Sequence, residues 1–255
     1  MADTTHRSPR LYVELELDGA SLALDESEAH YLGHVLRLAP GRRLVVFNGR
    51  GTEREASVDS LQRRGAVLAL AAVRPPLPES PLDLTLVQAL PKSDAMDLIV
   101  QKATELGVRS LWPVYSEFSV VKLDAERSER RVEHWRKIAR SACEQCGRHT
   151  IPRIEPPRQL AAAIEALAAA HKRIALDPSA QRSLGEQAPP VEGLVVAVGP
   201  EGGFGAADWR RLDAAQFTRA SVGPRILRAE TAALAVCAIA QSRWGDLRAP
   251  LASVL

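Results

Sequence analysis

Apolar residues follow two different rhythms along this chain, and the change comes at one place. Up to residue 73 they fall in short, nearly alternating runs: LYVELEL (11–17), RRLVVFN (42–48), TEREASVDSL (52–61) and AVLALAAV (66–73). A period of two puts every second side chain on one face, so each run predicts a short β-strand. Asn48-Gly49-Arg50-Gly51 supplies a turn between two of them. A single stretch, 26–38, carries helical spacing. Some 70 residues of short strands with one helix predict a small β-barrel, an architecture that often binds nucleic acid without dictating it.

Residues 74–81 read RPPLPESP. Four prolines in eight positions can continue neither a helix nor a central strand. The expected division is therefore a barrel domain over 1–74, an extended linker over 75–81 and a second domain over 82–255. In that second domain apolar strands alternate with helices. DLTLVQAL (83–90) reads as a buried strand, and Met96, Ile99, Val100, Ala103 and Leu106 then share one helix face that ends at Gly107. SLWPVY (110–115) is the next strand. A long helix over 125–146 follows, with Val132, Trp135, Ala139, Ala142 and Cys143 at helical spacing. A helix over 159–170, strands RIAL (173–176) and LVVAVG (194–199), a helix from 206 and a last helix over 230–244 complete the pattern. Strands alternating with helices predict an α/β domain whose parallel sheet is covered on both faces.

A length of 255 residues suits two modest domains, and 46% hydrophobic with 25% charged residues is an ordinary globular balance. No apolar run approaches the ~20 residues a spanning helix needs. The start, MADTTHRSPR, lacks the apolar segment of a secretory signal and reads as a short frayed tail of a soluble, cytoplasmic protein. A net charge of +2 says little about partners, but its distribution says more. From 130 to 153 seven cations (Arg130, Arg131, Arg136, Lys137, Arg140, Arg148 and Arg153) stand against Glu133 and Glu144. Such a local surplus can hold a polyanion, and it reads equally as a solvated helix face.

Buried parallel strands present ligands at their carboxyl ends. LVVAVG runs straight into PEGGF, and Gly199, Gly202 and Gly203 let the backbone approach a ligand with no Cβ in the way. The same loop reads also as a tight strand-to-helix connection. It carries neither the G-x-G-x-x-G of a dinucleotide site nor the G-x-x-x-x-G-K-[ST] of a phosphate loop. GPRILRAETAALAV (223–236) adds a Gly-Pro turn, the cations Arg225 and Arg228, and Glu230-Thr231 at the start of an apolar helix. A glutamate there suits the helix dipole by itself. Folding has no need of two arginines before a buried helix.

Together, GPEGGF (199–204) and GPRILRAETA (223–232) resemble the SPOUT class of S-adenosylmethionine-dependent RNA methyltransferases. More narrowly, the chain resembles the bacterial family that methylates N3 of a uridine, usually U1498, in 16S ribosomal RNA of the small ribosomal subunit. EAHYLGHVLRLAPG (28–41) is similar to that family's PUA-like RNA-binding domain; ALPKSDAMDLIVQKATELGV (89–108) and ACEQCGRHTIP (142–152) match its central motifs in order. The resemblance implies a PUA-like barrel followed by a catalytic domain with a C-terminal trefoil knot, an exception to unknotted chains. It also implies a homodimer with cofactor sites near the interface. By position, the S-adenosyl-L-methionine pocket would use Leu176, Gly199, Glu201, Gly202, Gly203, Val222, Gly223, Ile226, Leu227 and Arg228, with Glu230 and Thr231 closing the last turn. Arg37, Lys92, Arg136, Arg140 and Arg148 would hold RNA phosphates. Arg228 would stabilise charge developing on the uracil oxygens. Glu201 is a candidate base or a residue that only fixes its loop.

One departure from the family pattern matters, and two further readings stand beside the match. Where the family commonly has Ser-Glu-Arg, this chain has Ser116-Glu117-Phe118, so a cation expected against RNA or a second subunit is missing. Cys143, Cys146 and His149 suggest zinc, but a structural site usually takes four ligands and the family motif holds small residues and no metal here; core cysteines are expected instead. A non-catalytic RNA-binding ribosome-maturation factor would keep the barrel and basic face without needing both glycine-bearing loops. A relative acting on another RNA nucleotide would keep them all.

Overall fold

The computed structural model describes residues 8–75, 77–92, 94–119, 123–167 and 171–248. Residues 1–7 of the frayed tail expected over 1–10, and residues 168–170 of the helix expected over 159–170, lie outside them; the tail is shorter than expected, since Arg10 is buried and opens the first strand. Two compact units emerge: Met1–Pro78 with Cys143–Ile151, and Glu79–Ala142 with Pro152–Leu255. The division falls inside the proline run. It also assigns to the first unit a segment that sequence position alone puts in the second.

In the first unit, strands β1 (Arg10–Tyr12), β2 (Ser21–Leu24), β3 (Arg43–Phe47), β4 (Glu53–Gln62) and β5 (Gly65–Val73) form a mixed sheet in the order β1-β3-β4-β5-β2. β1 pairs with β3 in parallel and the other neighbours are antiparallel. Leu11, Leu22, Leu24, Leu44, Val46, Val58 and Leu68 come from different strands into one core with Leu32. The expected helix over 26–38 is shorter. Helix α1 (Glu26–His30) starts with a capping box in which Asp25 and Glu28 each accept the other's backbone N–H. Tyr31–Val35 then widen into a π-helical turn, and the chain leaves through Arg37 at φ 53°. The run LYVELEL keeps only its first two residues in β1, and β2, which the spacing did not indicate, closes the far edge.

Polar groups hold Cys143–Ile151 within this unit. Glu144 accepts hydrogen bonds from the Tyr12 N–H at 2.9 Å and the Tyr31 hydroxyl at 2.8 Å. Burial pushes the Glu144 carboxyl above its ordinary range despite those two donors and nearby Arg10. Arg10 pairs with buried Glu53 at 2.7 Å and donates to the Arg148 carbonyl at 3.0 Å. Ile151 N–H reaches the Gly49 carbonyl at 3.1 Å. Gly49, at φ 72°, has no room for a Cβ, which would lie 2.7 Å from Ile151 Cδ1.

The second unit is a parallel sheet. Its strands β6 (Leu84–Ala89), β7 (Ser110–Tyr115), β8 (Arg153–Ile154), β9 (Arg158–Gln159), β10 (Lys172–Leu176), β11 (Leu194–Val198) and β12 (Thr218–Ala220) run β12-β10-β11-β6-β7-β8, with β9 also on β7. Every residue of β6 and β11 is buried, as befits central strands covered on both faces. Helices α4 (Leu160–Ala166) and α5 (Ala206–Ala214) share a core with Val87, Ala89, Val195 and Ala197. Helix α6 (Ala229–Trp244) packs on β6 and β11 and against α2 (Ala95–Glu105). Helix α3 (Ala125–Cys146) buries Val132, Trp135, Ala139, Ala142 and Cys143, the face its spacing predicts. Gly107 ends α2 at φ 74°, with Val108 N–H on the Ala103 carbonyl. Among the described residues no helix is long and apolar enough to cross a membrane.

Candidate cofactor site at the carboxyl edge of the parallel sheet

Leu176, Val198, Ala220 and Ala89 end four adjacent parallel strands, so the loops that follow leave from one edge of the sheet. Leu176, Val222, Gly223 and Leu227 line a single cavity there, together with Asp177, Ser221 and Arg225. The segment after β12 runs alongside the one after β10. Leu184 N–H donates to the Ser221 carbonyl at 2.8 Å, and Ser221 N–H to that of Arg182 at 3.0 Å. Gly223 takes φ 113°, a conformation in which a side chain is strained.

The 199–203 loop caps the neighbouring strand without lining that cavity. It folds tightly back, Gly203 N–H bonding the Pro200 carbonyl at 2.9 Å. A Cβ on Gly199 would stand 2.9 Å from the Gly203 carbonyl carbon and 3.1 Å from Phe204 N. Gly203 has φ 71°, and a Cβ there would meet open space. Close backbone packing requires the first glycine, and the second sits in a left-handed conformation beside open space. Glu201 accepts the Lys92 N–H at 2.8 Å, joining this loop to the one after β6. Buried Gln88, on β6, donates to the Ala89 carbonyl at 2.8 Å and more weakly, at 3.5 Å, to that of Gly199.

The remaining predicted positions are more dispersed. Ile226 is 88% exposed and does not line the cavity. Arg228 caps α6 with extended backbone and an exposed side chain that makes no ion pair among the described residues. Glu230 and Thr231 occupy the first turn of α6, where Ala232 reaches the cavity. Of the expected RNA-binding cations, Arg37 is exposed in the first unit, which also holds Arg148. Lys92, Arg136 and Arg140 belong to the second, where both arginines pair with Glu133, at 3.8 and 3.3 Å. Half-exposed pairs of this kind are weak enough to be exchanged for phosphate.

Asp177 is a site residue that spacing did not single out, although its place directly after a buried strand is a usable signal. Burial acts to raise its carboxyl, but the Ser179 hydroxyl and N–H (2.7 and 2.9 Å) and the Arg219 guanidinium outweigh it, holding Asp177 below the ordinary range. Arg219 also forks onto Asp213 and lies 4.1 Å over the Trp209 ring. Asp177 thus shapes the turn after β10. Cys143 is buried, with its thiol on the Thr150 carbonyl at 3.7 Å, and burial pushes the Cys237 thiol up to about 12. No cluster of three or more metal-binding side chains occurs among the described residues.

Comparison with known proteins fits this geometry. The family model described as the RNA methyltransferase domain matches residues 78–241, and that of the RNA methyltransferase PUA domain matches 24–70. Ribosomal RNA small subunit methyltransferase E of Mycobacterium tuberculosis is 31% identical over 240 residues, 89% of each chain. The protein of that name from Buchnera aphidicola is 29% identical over 242 residues, 94% of this chain and 98% of its own. The crystal structure of the Neisseria gonorrhoeae protein of the same name, bound to S-adenosyl methionine, matches with a TM-score of 0.89 at 34% identity. That match covers 94% of this chain and 99% of that one.

Proposed function

Because the chain belongs to the RNA methyltransferase family, we propose that it transfers a methyl group from S-adenosylmethionine to N3 of a uridine in 16S ribosomal RNA. The observation that carries this reading is that the 199–203 and 221–228 loops leave the same carboxyl edge of the parallel sheet, from strands on either side of β10. The donor set suits an extended ligand held by backbone contacts better than a polyphosphate: strand-end backbone, glycines without side chains, and the apolar walls of Leu176, Val222 and Leu227. When bound, S-adenosylmethionine supplies an electrophilic methyl on a sulfonium.

The chain's own residues then have separable tasks. Leu176, Val222, Gly223 and Leu227 hold the cofactor, and Gly199, Gly202 and Gly203 form the adjacent wall. Glu201 fixes that wall through the backbone N–H of Lys92. Uridine N3 must lose its proton before it can attack. Charge spread onto the uracil oxygens meets the guanidinium of Arg228. Positioning supplies much of the remainder, for which well-oriented reactants can contribute roughly 7–11 kcal/mol. A paired uridine hides N3, so the target is unpaired or extruded, at a cost of a few kcal/mol.

A trefoil knot and a homodimer belong to the same proposal, as does action in the cytoplasm, where ribosomal RNA is. The hydrogen-bonded passage of Ser221 beside Arg182 and Leu184 supports the knot, and exposed Ile226 is an apolar residue that a second copy would cover.

Mass spectrometry of ribosomal RNA from cells lacking the protein tests the function. Loss of one methyluridine from small-subunit RNA is expected, whereas loss from transfer RNA would move the reading to another target. Methylation should also weaken with salt. If three of the five cations engage phosphates, a rise from 50 to 200 mM lowers RNA affinity roughly 20- to 40-fold. A flat salt response would remove those contacts from the proposal.

A further inference from the structure

We propose that Phe118 is a stacking platform for a base of the RNA substrate, at the rim of the cofactor site. It is 49% exposed and is the only exposed Phe, Tyr or Trp among the described residues. Its turn, at the carboxyl end of β7, is firmly held. Ser119 N–H bonds the Ser116 carbonyl at 3.1 Å and Ser116 N–H the Ser119 hydroxyl at 3.1 Å. Glu117 N–H donates to Asp208 at 2.9 Å, and the Glu117 carboxylate accepts the Ala207 N–H at 3.0 Å. The turn is thus tied to the N-terminus of α5, directly after the glycine loop. An aromatic ring on so fixed a backbone stays at the surface without collapsing into the core.

The ring lies against the cofactor loop. A Cβ built on Gly202 would be 3.4–3.7 Å from Phe118 Cβ, Cδ2 and Cγ. Glu201, one residue earlier, accepts the backbone N–H of Lys92, so the loop after β6 comes to the same rim. An exposed aromatic face on a fixed backbone is a platform on which an unpaired base of single-stranded nucleic acid can stack. Stacking needs no base-specific partner, so the site suits a splayed-out nucleotide at or next to the target.

This inference rests on the methyltransferase reading, and the test separates the two. Methyl transfer to small-subunit RNA is measured for the full chain and for Phe118→Ala and Phe118→Tyr, with S-adenosylhomocysteine affinity measured by calorimetry. Phe118→Ala is expected to lower kcat/KM for RNA about 10- to 100-fold, to leave S-adenosylhomocysteine affinity within about twofold, and to be rescued by Phe118→Tyr. Unchanged kcat/KM in Phe118→Ala overturns the proposal. So does a parallel loss of S-adenosylhomocysteine affinity, which would place the ring on the cofactor, or failure of Phe118→Tyr to rescue. If the unaltered chain binds S-adenosylhomocysteine but methylates no small-subunit RNA, the functional reading fails and the stacking role falls with it.

Discussion

Gly199→Ala is expected to weaken S-adenosylhomocysteine binding by about 100-fold while the chain stays folded. The new methyl would stand 2.9 Å from the Gly203 carbonyl carbon, 3.0 Å from its Cα and 3.1 Å from Phe204 N, all backbone atoms. No side chain can turn aside to make room, so the loop itself must open. Forcing a methyl into a packed site costs about 1–3 kcal/mol, and the upper part of that range is about 100-fold in affinity. Gly202→Ala is the informative contrast. Its Cβ would meet Phe118 at 3.4 Å, an ordinary contact, so its effect should stay below about fivefold. Calorimetry on both variants decides the matter. Normal affinity in Gly199→Ala would mean that the ligand is held elsewhere.

Arg228→Ala should act on a different quantity. A single donor lost from a developing anion costs about 100- to 1000-fold in turnover, whereas cofactor affinity should change by only a few-fold. The residue caps α6 with extended backbone and leaves its guanidinium exposed, so the change removes no buried contact. Arg228→Lys should recover part of the rate, because an ammonium carries the charge but lacks the planar array of donors. Single-turnover methyl transfer alongside calorimetry separates the outcomes. Normal turnover with normal cofactor affinity would take Arg228 out of the chemistry.

Periodicity reveals most of the second unit's fold because its elements are long and amphipathic or wholly apolar. The α3 positions from Val132 to Cys143 and the runs in β6 and β11 each carry enough residues for spacing to speak. Short elements do not. Thr218–Ala220 and Arg158–Gln159 are too brief to show a period, and in Ser21–Leu24 the alternation is masked by small residues. The helix over 26–38 looks continuous in spacing, yet it widens at Tyr31, where Gly33 lies against Leu61. In the site, glycines and strand ends are legible because backbone conformation demands them. The tie between Glu201 and Lys92, the clamp from Glu117 to Asp208 and the anchoring of Asp177 by Arg219 are invisible, since each joins residues far apart in sequence.

The inclusion of Cys143–Ile151 in the first unit has a consequence for synthesis. A chain emerging from its own ribosome has released all five strands of that unit by Val73, yet Arg10, Tyr12 and Tyr31 still lack their later partners. Those partners arrive roughly 70 residues afterwards, a delay of several seconds at about 5–20 residues per second. The N-terminal module is thus completed late, during synthesis of the catalytic half, and truncation after Pro78 would leave it permanently unfinished.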